Sequence, residues 1–126
     1  MKMAHFPTSP PEAIFYEDNK LYACLAYEPI TEGHCVVAWK GDVEDLHLLA
    51  RQDYEHLMWV VEKTRNALLK TLNLEKVYLL YFDEAKHVHW HLIPRYEEKG
   101  FTVLTHKPEK IEDFPMAHTL RDNFNL

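Results

Sequence analysis

The decapeptide from Lys86 to Arg95, Lys-His-Val-His-Trp-His-Leu-Ile-Pro-Arg, places His87, His89 and His91 at every second position. A β-strand sends successive side chains to opposite faces. This period therefore predicts one strand with the three imidazoles on one face and Val88, Trp90 and Leu92 on the other. Same-face Cα atoms along a strand are roughly 6.6–6.8 Å apart, too far for the rings to stack but close enough for them to converge on one phosphate or one metal ion. Such a strand has to bury its apolar face and leave its histidine face accessible. That asks for a sheet covered on one side only.

The rest of the chain supplies such a sheet. Ala13 to Tyr16 and Leu21 to Tyr27 flank the turn Glu17-Asp18-Asn19-Lys20, which reads as a hairpin. Beyond the turn-rich interval 28–33, a third strand runs from His34 to Trp39 and begins with a histidine. Asp42 is placed to cap a short helix through Leu46, Leu49 and Ala50, and Asp53 to cap a longer one. In the longer helix Tyr54, Leu57, Met58, Val61, Leu68, Leu69 and Leu72 keep three-and-four spacing, so its apolar stripe faces a core. Val77 to Phe82 is a continuous apolar run, the pattern of a strand buried on both faces, and Pro94 ends the histidine strand because it donates no ladder hydrogen bond. Phe101 to Leu104 fits a short strand or edge segment. From Lys107 on, Pro108 and Pro115 predict an irregular tail, although Phe114, Met116, Leu120, Phe124 and Leu126 make it too apolar to hang free. The expectation is an α+β domain over 13–105, preceded by an extended arm over 1–12 that carries Pro7, Pro10 and Pro11. A tail over 106–126 packs on the domain or on a partner subunit.

Composition narrows the partners. One domain of 126 residues buries roughly two-thirds of its unfolded surface without help from a metal. A formal charge of −6 repels nucleic acid and acidic membranes, and no run of 18 uncharged apolar residues spans a bilayer. Cys24 and Cys35 form no Cys-x-x-Cys pair and read as reduced, buried thiols; with no secretory pattern at the start, a soluble cytoplasmic protein is expected. Three glycines cannot build a Walker or dinucleotide-binding loop.

Three chemistries fit the histidine row. The rings are a solvated polar face, or they bind zinc or iron, or they act on a phosphate. In the last case one neutral imidazole attacks phosphorus while its neighbours donate to oxygens. The metal reading lacks a complete ligand set, since Glu97 and Glu98 lie beyond Pro94 and the cysteines are distant in sequence. Histidine suits phosphate chemistry because its ordinary pKa, near 6.5, supplies nucleophile and acid at the same pH. Lys86 and Arg95 flank the row as cations, and with Trp90 they are candidate substrate contacts; Arg95 either touches phosphate or caps the sheet edge. The polar-face residues His47 and His56, and His5, His106 and His118 in irregular segments, read as non-catalytic.

His87-Val88-His89-Trp90-His91-Leu92-Ile93 resembles the signature of the histidine-triad (HIT) family, and Pro94-Arg95 continues it as in the diadenosine-polyphosphate hydrolase branch. Pro29-Ile30-Thr31-Glu32-Gly33-His34 is similar to the family's Pro-x-x-x-Gly-His strand start. The resemblance runs from about Ile14 to Arg95. It implies a HIT-like fold, an antiparallel sheet of about five strands with one long and one short helix, usually paired into a homodimer. It implies a nucleotide hydrolase without cofactor that acts on diadenosine polyphosphates or nucleoside phosphoramidates through a nucleotidyl-histidine intermediate. By position His89 matches the nucleophile, His91 the residue facing the leaving group, and His87 and His34 supporting members. No metal is implied, because Phe15 and its neighbours stand where some bacterial members carry zinc-binding cysteines. Two departures stand out. Phe82-Asp83-Glu84-Ala85-Lys86 replaces a Gly-rich stretch with a Ser or Gln, and Ala26 replaces an Asn.

Overall fold

The computed structural model describes residues 9–82 and 84–124. Alternation of apolar residues builds a sheet from β1 (Ile14–Glu17), β2 (Leu21–Leu25), β3 (Cys35–Trp39), β4 (Val77–Leu80) and β5 (His89–Pro94). Its order is β1-β2-β3-β5-β4, with every pair antiparallel. The register aligns Cys24 with Val36, Val36 with His91 and Leu80 with His91, so these residues share a face. Ala23, Val37 and Trp90 form a row on the other face.

That second face is covered by α1 (Arg51–Leu72), which buries Leu57, Val60, Val61, Thr64, Ala67 and Leu68 in the expected three-and-four rhythm. Each fully buried leucine here contributes about 2 kcal/mol through removal of its surface from water. Asn73 ends the helix in the left-handed region, at φ 54°. Asp53 does not cap α1. The cap residue is Ala50, while Asp53 lies in the first turn and accepts from Lys20 Nζ at 2.8 Å. The short helix expected from Asp42 is a 3-10 turn over Leu46–Leu48, capped by Asp45.

Three further expectations are corrected. Val77 to Phe82 is not a doubly buried strand. β4 is an edge strand on which α1 leaves Leu79 half-exposed, and Phe82 beyond it is exposed. Phe101–Leu104 is a short helix, α2, rather than a strand. The tail is not irregular throughout, because Met116–Phe124 forms helix α3 and buries Ala117, Leu120 and Phe124. Phe124 stacks on Tyr16 at 4.6 Å, Arg121 donates to the Ile14 carbonyl at 2.7 Å, and Asn123 donates to Thr71 Oγ1 at 2.8 Å. Phe114, Met116, Leu120 and Phe124 thus extend the core of their own chain, with α3 against β1 and α1, while Leu126 lies outside the described residues. Of the arm expected over 1–12, residues 1–8 lie outside the described residues, and Pro11–Ala13 form a 3-10 turn.

A carboxylate fixes the first hairpin to the helix. Asp18 accepts from the backbone N–H groups of Lys20 and Leu21, from the Tyr16 hydroxyl and from His56 Nε2 on α1. Burial pushes its pKa up, but these four bonds outweigh burial and hold it down at about 2.

Candidate active site

The uncovered face of the sheet floors a cavity of about 400 Å³. Three histidines line it, His34 immediately before β3 and His89 and His91 on β5, together with Tyr22 and Cys24 from β2. Strand alternation is what places them there, since each sits one residue away from a core side chain: Ala23, Cys35, Trp90 and Leu92 point the other way.

Hydrogen bonds fix which nitrogen of each ring carries the proton. The Ile30 N–H donates to His34 Nδ1 at 3.2 Å, so in neutral His34 that nitrogen is the acceptor and Nε2 bears the hydrogen. His34 Nε2 then lies 2.9 Å from His91 Nδ1 and donates to it, which leaves the proton of neutral His91 on Nε2. His89 is set the other way round. Its Nδ1 lies 2.7 Å from the His87 carbonyl, which can only accept, so Nδ1 is protonated and the lone pair of the neutral ring sits on Nε2. The His89 and His91 rings meet edge to face with centroids 4.9 Å apart. A lone pair and an N–H donor therefore stand side by side.

Electrostatics keeps these rings neutral. Burial pushes the His34 pKa down to about 3, with His91 adding to the effect, and burial together with His89 pushes His91 down to about 4. Burial lowers His89 as well, against the opposing bond to the His87 carbonyl. Burial raises the Cys24 thiol to about 11, so it stays protonated in the cavity wall.

His87 has a different place from its two partners. It precedes β5, is fully buried and does not line the cavity; its Nε2 donates to the Trp39 carbonyl at 2.5 Å. That bond secures the peptide whose carbonyl orients His89. The expected single-strand row thus splits into two residues on the floor and one behind it. Trp90 lies on the face toward α1, with its indole against Tyr81 at 5.2 Å, and does not reach the cavity. Lys86 occupies a turn at φ 52°, and Arg95 contacts Glu75 at 3.6 Å; both are outside the lining. Ala26 lines the cavity, and so does Ala85, the neighbour of Glu84. Asp83 lies outside the described residues. Among the described residues no three His, Cys, Asp or Glu side chains form a group able to hold a metal ion.

Sequence reasoning missed the walls. Ser9 closes one side, its hydroxyl donating to the Leu25 carbonyl at 2.7 Å, and Ile30, Leu104 and Pro108 close another. For Tyr22 and Cys24 the signal was present, because the β2 alternation places both opposite core residues. The loops and the arm carry no period to read.

Gly33 makes the approach to His34 possible. At φ +87° it adopts a conformation that L-residues rarely take, and a Cβ there would stand 2.8 Å from Leu72 Cδ1 at the end of α1. Gly33→Ala is expected to cost about 2 kcal/mol and to loosen the His34 ring, read as a lowered thermal midpoint.

A protein-family model described as HIT domain matches residues 8–98. An uncharacterized HIT-like protein of Methanocaldococcus jannaschii is 30% identical over 99 residues, 74% of this chain and 76% of that one. An uncharacterized HIT-like protein of Borreliella burgdorferi is 33% identical over 95 residues, 68% of each chain. The crystal structure of a hypothetical histidine triad nucleotide-binding protein from Sulfolobus tokodaii superposes with a TM-score of 0.72 at 22% identity, covering 90% of this chain and 83% of that one.

Proposed function

The chain belongs to the HIT domain family, and from that premise we propose that it is a nucleotide hydrolase that transfers a nucleotidyl group to water through His89. The observation that carries this reading is the pair of opposed tautomers, a lone pair on His89 Nε2 beside a donor on His91 Nε2. His89 Nε2 attacks the α-phosphorus. As that bond forms, the bond from phosphorus to the leaving group breaks; the His91 N–H hydrogen-bonds a leaving oxygen, or passes its proton to a leaving nitrogen and regains one from the water that attacks next. Water then attacks phosphorus, the Nε2–phosphorus bond breaks, and nucleoside monophosphate and a proton are released. His34 holds His91 in the donating tautomer, and the His87 carbonyl holds His89 in the attacking one.

The substrate in this reading is a diadenosine polyphosphate or a nucleoside phosphoramidate, as in the hydrolase branch whose Pro-Arg continuation the chain shares at Pro94-Arg95. A structure of the same fold, named as a hypothetical histidine triad nucleotide-binding protein, supports a nucleotide in the cavity. The half-exposed Leu79 on edge strand β4 and the exposed Phe82 next to it suit a second copy of the chain, so a homodimer is part of the proposal. No helix among the described residues is long and apolar enough to cross a membrane.

The test is a panel of both substrate classes assayed with and without EDTA, followed by mass spectrometry after a rapid quench without acid. A nucleotide adduct on His89 with EDTA-insensitive turnover supports the proposal. Turnover that requires zinc would replace it with metal-dependent hydrolysis. Nucleotide binding without turnover on any substrate would replace it with a non-catalytic binding module.

A further inference from the structure

The loop leading into His34 is held from outside by the segment after α2. Along this loop the carbonyls of Tyr27, Pro29 and Ile30 accept, respectively, from the Ile111 N–H at 3.1 Å, the Glu109 N–H at 3.1 Å and His106 Nδ1 at 3.0 Å. The other ring nitrogen of His106 meets the Glu98 carboxylate in a short contact. A carbonyl and a carboxylate both accept, so both nitrogens of His106 donate and the ring is an imidazolium. The bonds to the Ile30 carbonyl and to Glu98 raise its pKa in keeping with that charge.

Ile30 is bonded on both sides. Its carbonyl accepts from His106 while its N–H donates to His34 Nδ1 at 3.2 Å, and its side chain lines the cavity. We propose that His106, paired with Glu98, is a positioning residue: by holding Ile30 it fixes which nitrogen of His34 is protonated, and through His34 the donor that His91 presents to the cavity. The sequence placed His106 in an irregular segment with no role. The structure puts it one residue away from the ring that sets the His91 tautomer. If Ile30 drifts, Nδ1 of His34 loses its donor and can take the proton itself. His34 Nε2 then no longer donates to His91 Nδ1, and His91 loses the bias that keeps its own hydrogen on Nε2.

The tautomer inference stands apart from the hydrolase reading, and only its kinetic consequence rests on that reading. Long-range proton–nitrogen spectra of the ¹⁵N-labelled protein report which nitrogen of each ring is protonated. In the native chain His34 and His91 should both appear protonated on Nε2. In His106→Ala the His34 signals should move toward a mixture of tautomers, and kcat should fall about fivefold, the worth of one hydrogen bond, with KM nearly unchanged. His106→Arg keeps donors for both Ile30 and Glu98 and should restore both readings. Glu98→Gln leaves the ring in place without its charged partner and should shift the tautomers in the same direction but less. Unchanged His34 signals in a folded His106→Ala and in Glu98→Gln would overturn the inference. So would a folded His106→Arg that behaves like the alanine variant. Shifted tautomers in a protein that turns over nothing would uphold the positioning role and remove the hydrolase reading instead.

Discussion

Under the proposed covalent mechanism, replacing His89 with alanine is expected to lower kcat by about 10⁴-fold or more, while the protein stays folded. Three observations combine in this expectation. The ring has its Nδ1 hydrogen committed to the His87 carbonyl, so its lone pair is on the nitrogen next to the His91 donor. Burial lowers its pKa, which keeps the nucleophilic form present below the ordinary histidine range. It also lies on the cavity floor, so truncation enlarges an open space rather than creating a sealed void, and stability should change by only about 1–2 kcal/mol. The check is a single-turnover assay beside a thermal melt. Native-like turnover in a folded His89→Ala would remove the covalent mechanism, whereas loss of rate with loss of the melt would show a folding defect only.

Acid should unfold this protein earlier than its carboxylates alone would. His34 and His91 are held near pKa 3 and 4 in the folded chain, against an ordinary value of 6.5. Between those limits the unfolded chain binds protons that the folded chain refuses, so stability is complete above pH 6.5 and declines as pH falls toward 4 and then 3. For a ring as buried as His34 the full window corresponds to on the order of 4 kcal/mol, a large share of the stability of a chain of this size. Asp18, held at about 2, adds a loss that begins only below the ordinary carboxylate range near pH 4. Urea melts between pH 7.5 and 4.5 therefore isolate the histidines. The midpoint should fall steadily across that interval, and His34→Asn should flatten the slope. A midpoint independent of pH above 5 would contradict the neutral histidine chain. The same depression sets the rate profile, in which the acidic limb of kcat/KM should lie below pH 6.5.

The sheet was legible because its face pattern is written in single residues. Val36 between Cys35 and Val37, and His91 between Trp90 and Leu92, each identify a face without any knowledge of partners. α1 was legible for the same reason, with its buried Leu57, Val61 and Leu68 on one stripe. Val77 to Phe82 was misread because an apolar run does not record whether a neighbouring strand exists on its far side, and none pairs there among the described residues. The tail held a readable signal. Ala117, Leu120 and Phe124 follow helical spacing, and Pro115 sits immediately before the first helical residue, where a proline is tolerated. In the site, strand period placed His89 and His91 together on one face, but it also put His87 in that row, whereas His87 precedes β5 and does not line the cavity. The tautomers were beyond reach. They depend on the Ile30 N–H and the His87 carbonyl, main-chain groups with no side-chain identity to read.

The way the 104–111 segment is fastened has a consequence for how this scaffold can diversify. At residues 109 and 111 it grips the loop under the cavity through main-chain N–H groups, and only His106 contributes a side chain to the three bonds. Backbone anchoring leaves sequence largely unconstrained. Positions 107, 109 and 112 are therefore the most open to change, with proline barred at 109, while Ile111 packs on the core, Lys110 sits over the Tyr27 ring and Pro108 borders the cavity. The cavity wall at residue 108 can thus vary, in nature or in a library, while the main-chain bonds at 109 and 111 keep the loop under His34 in place.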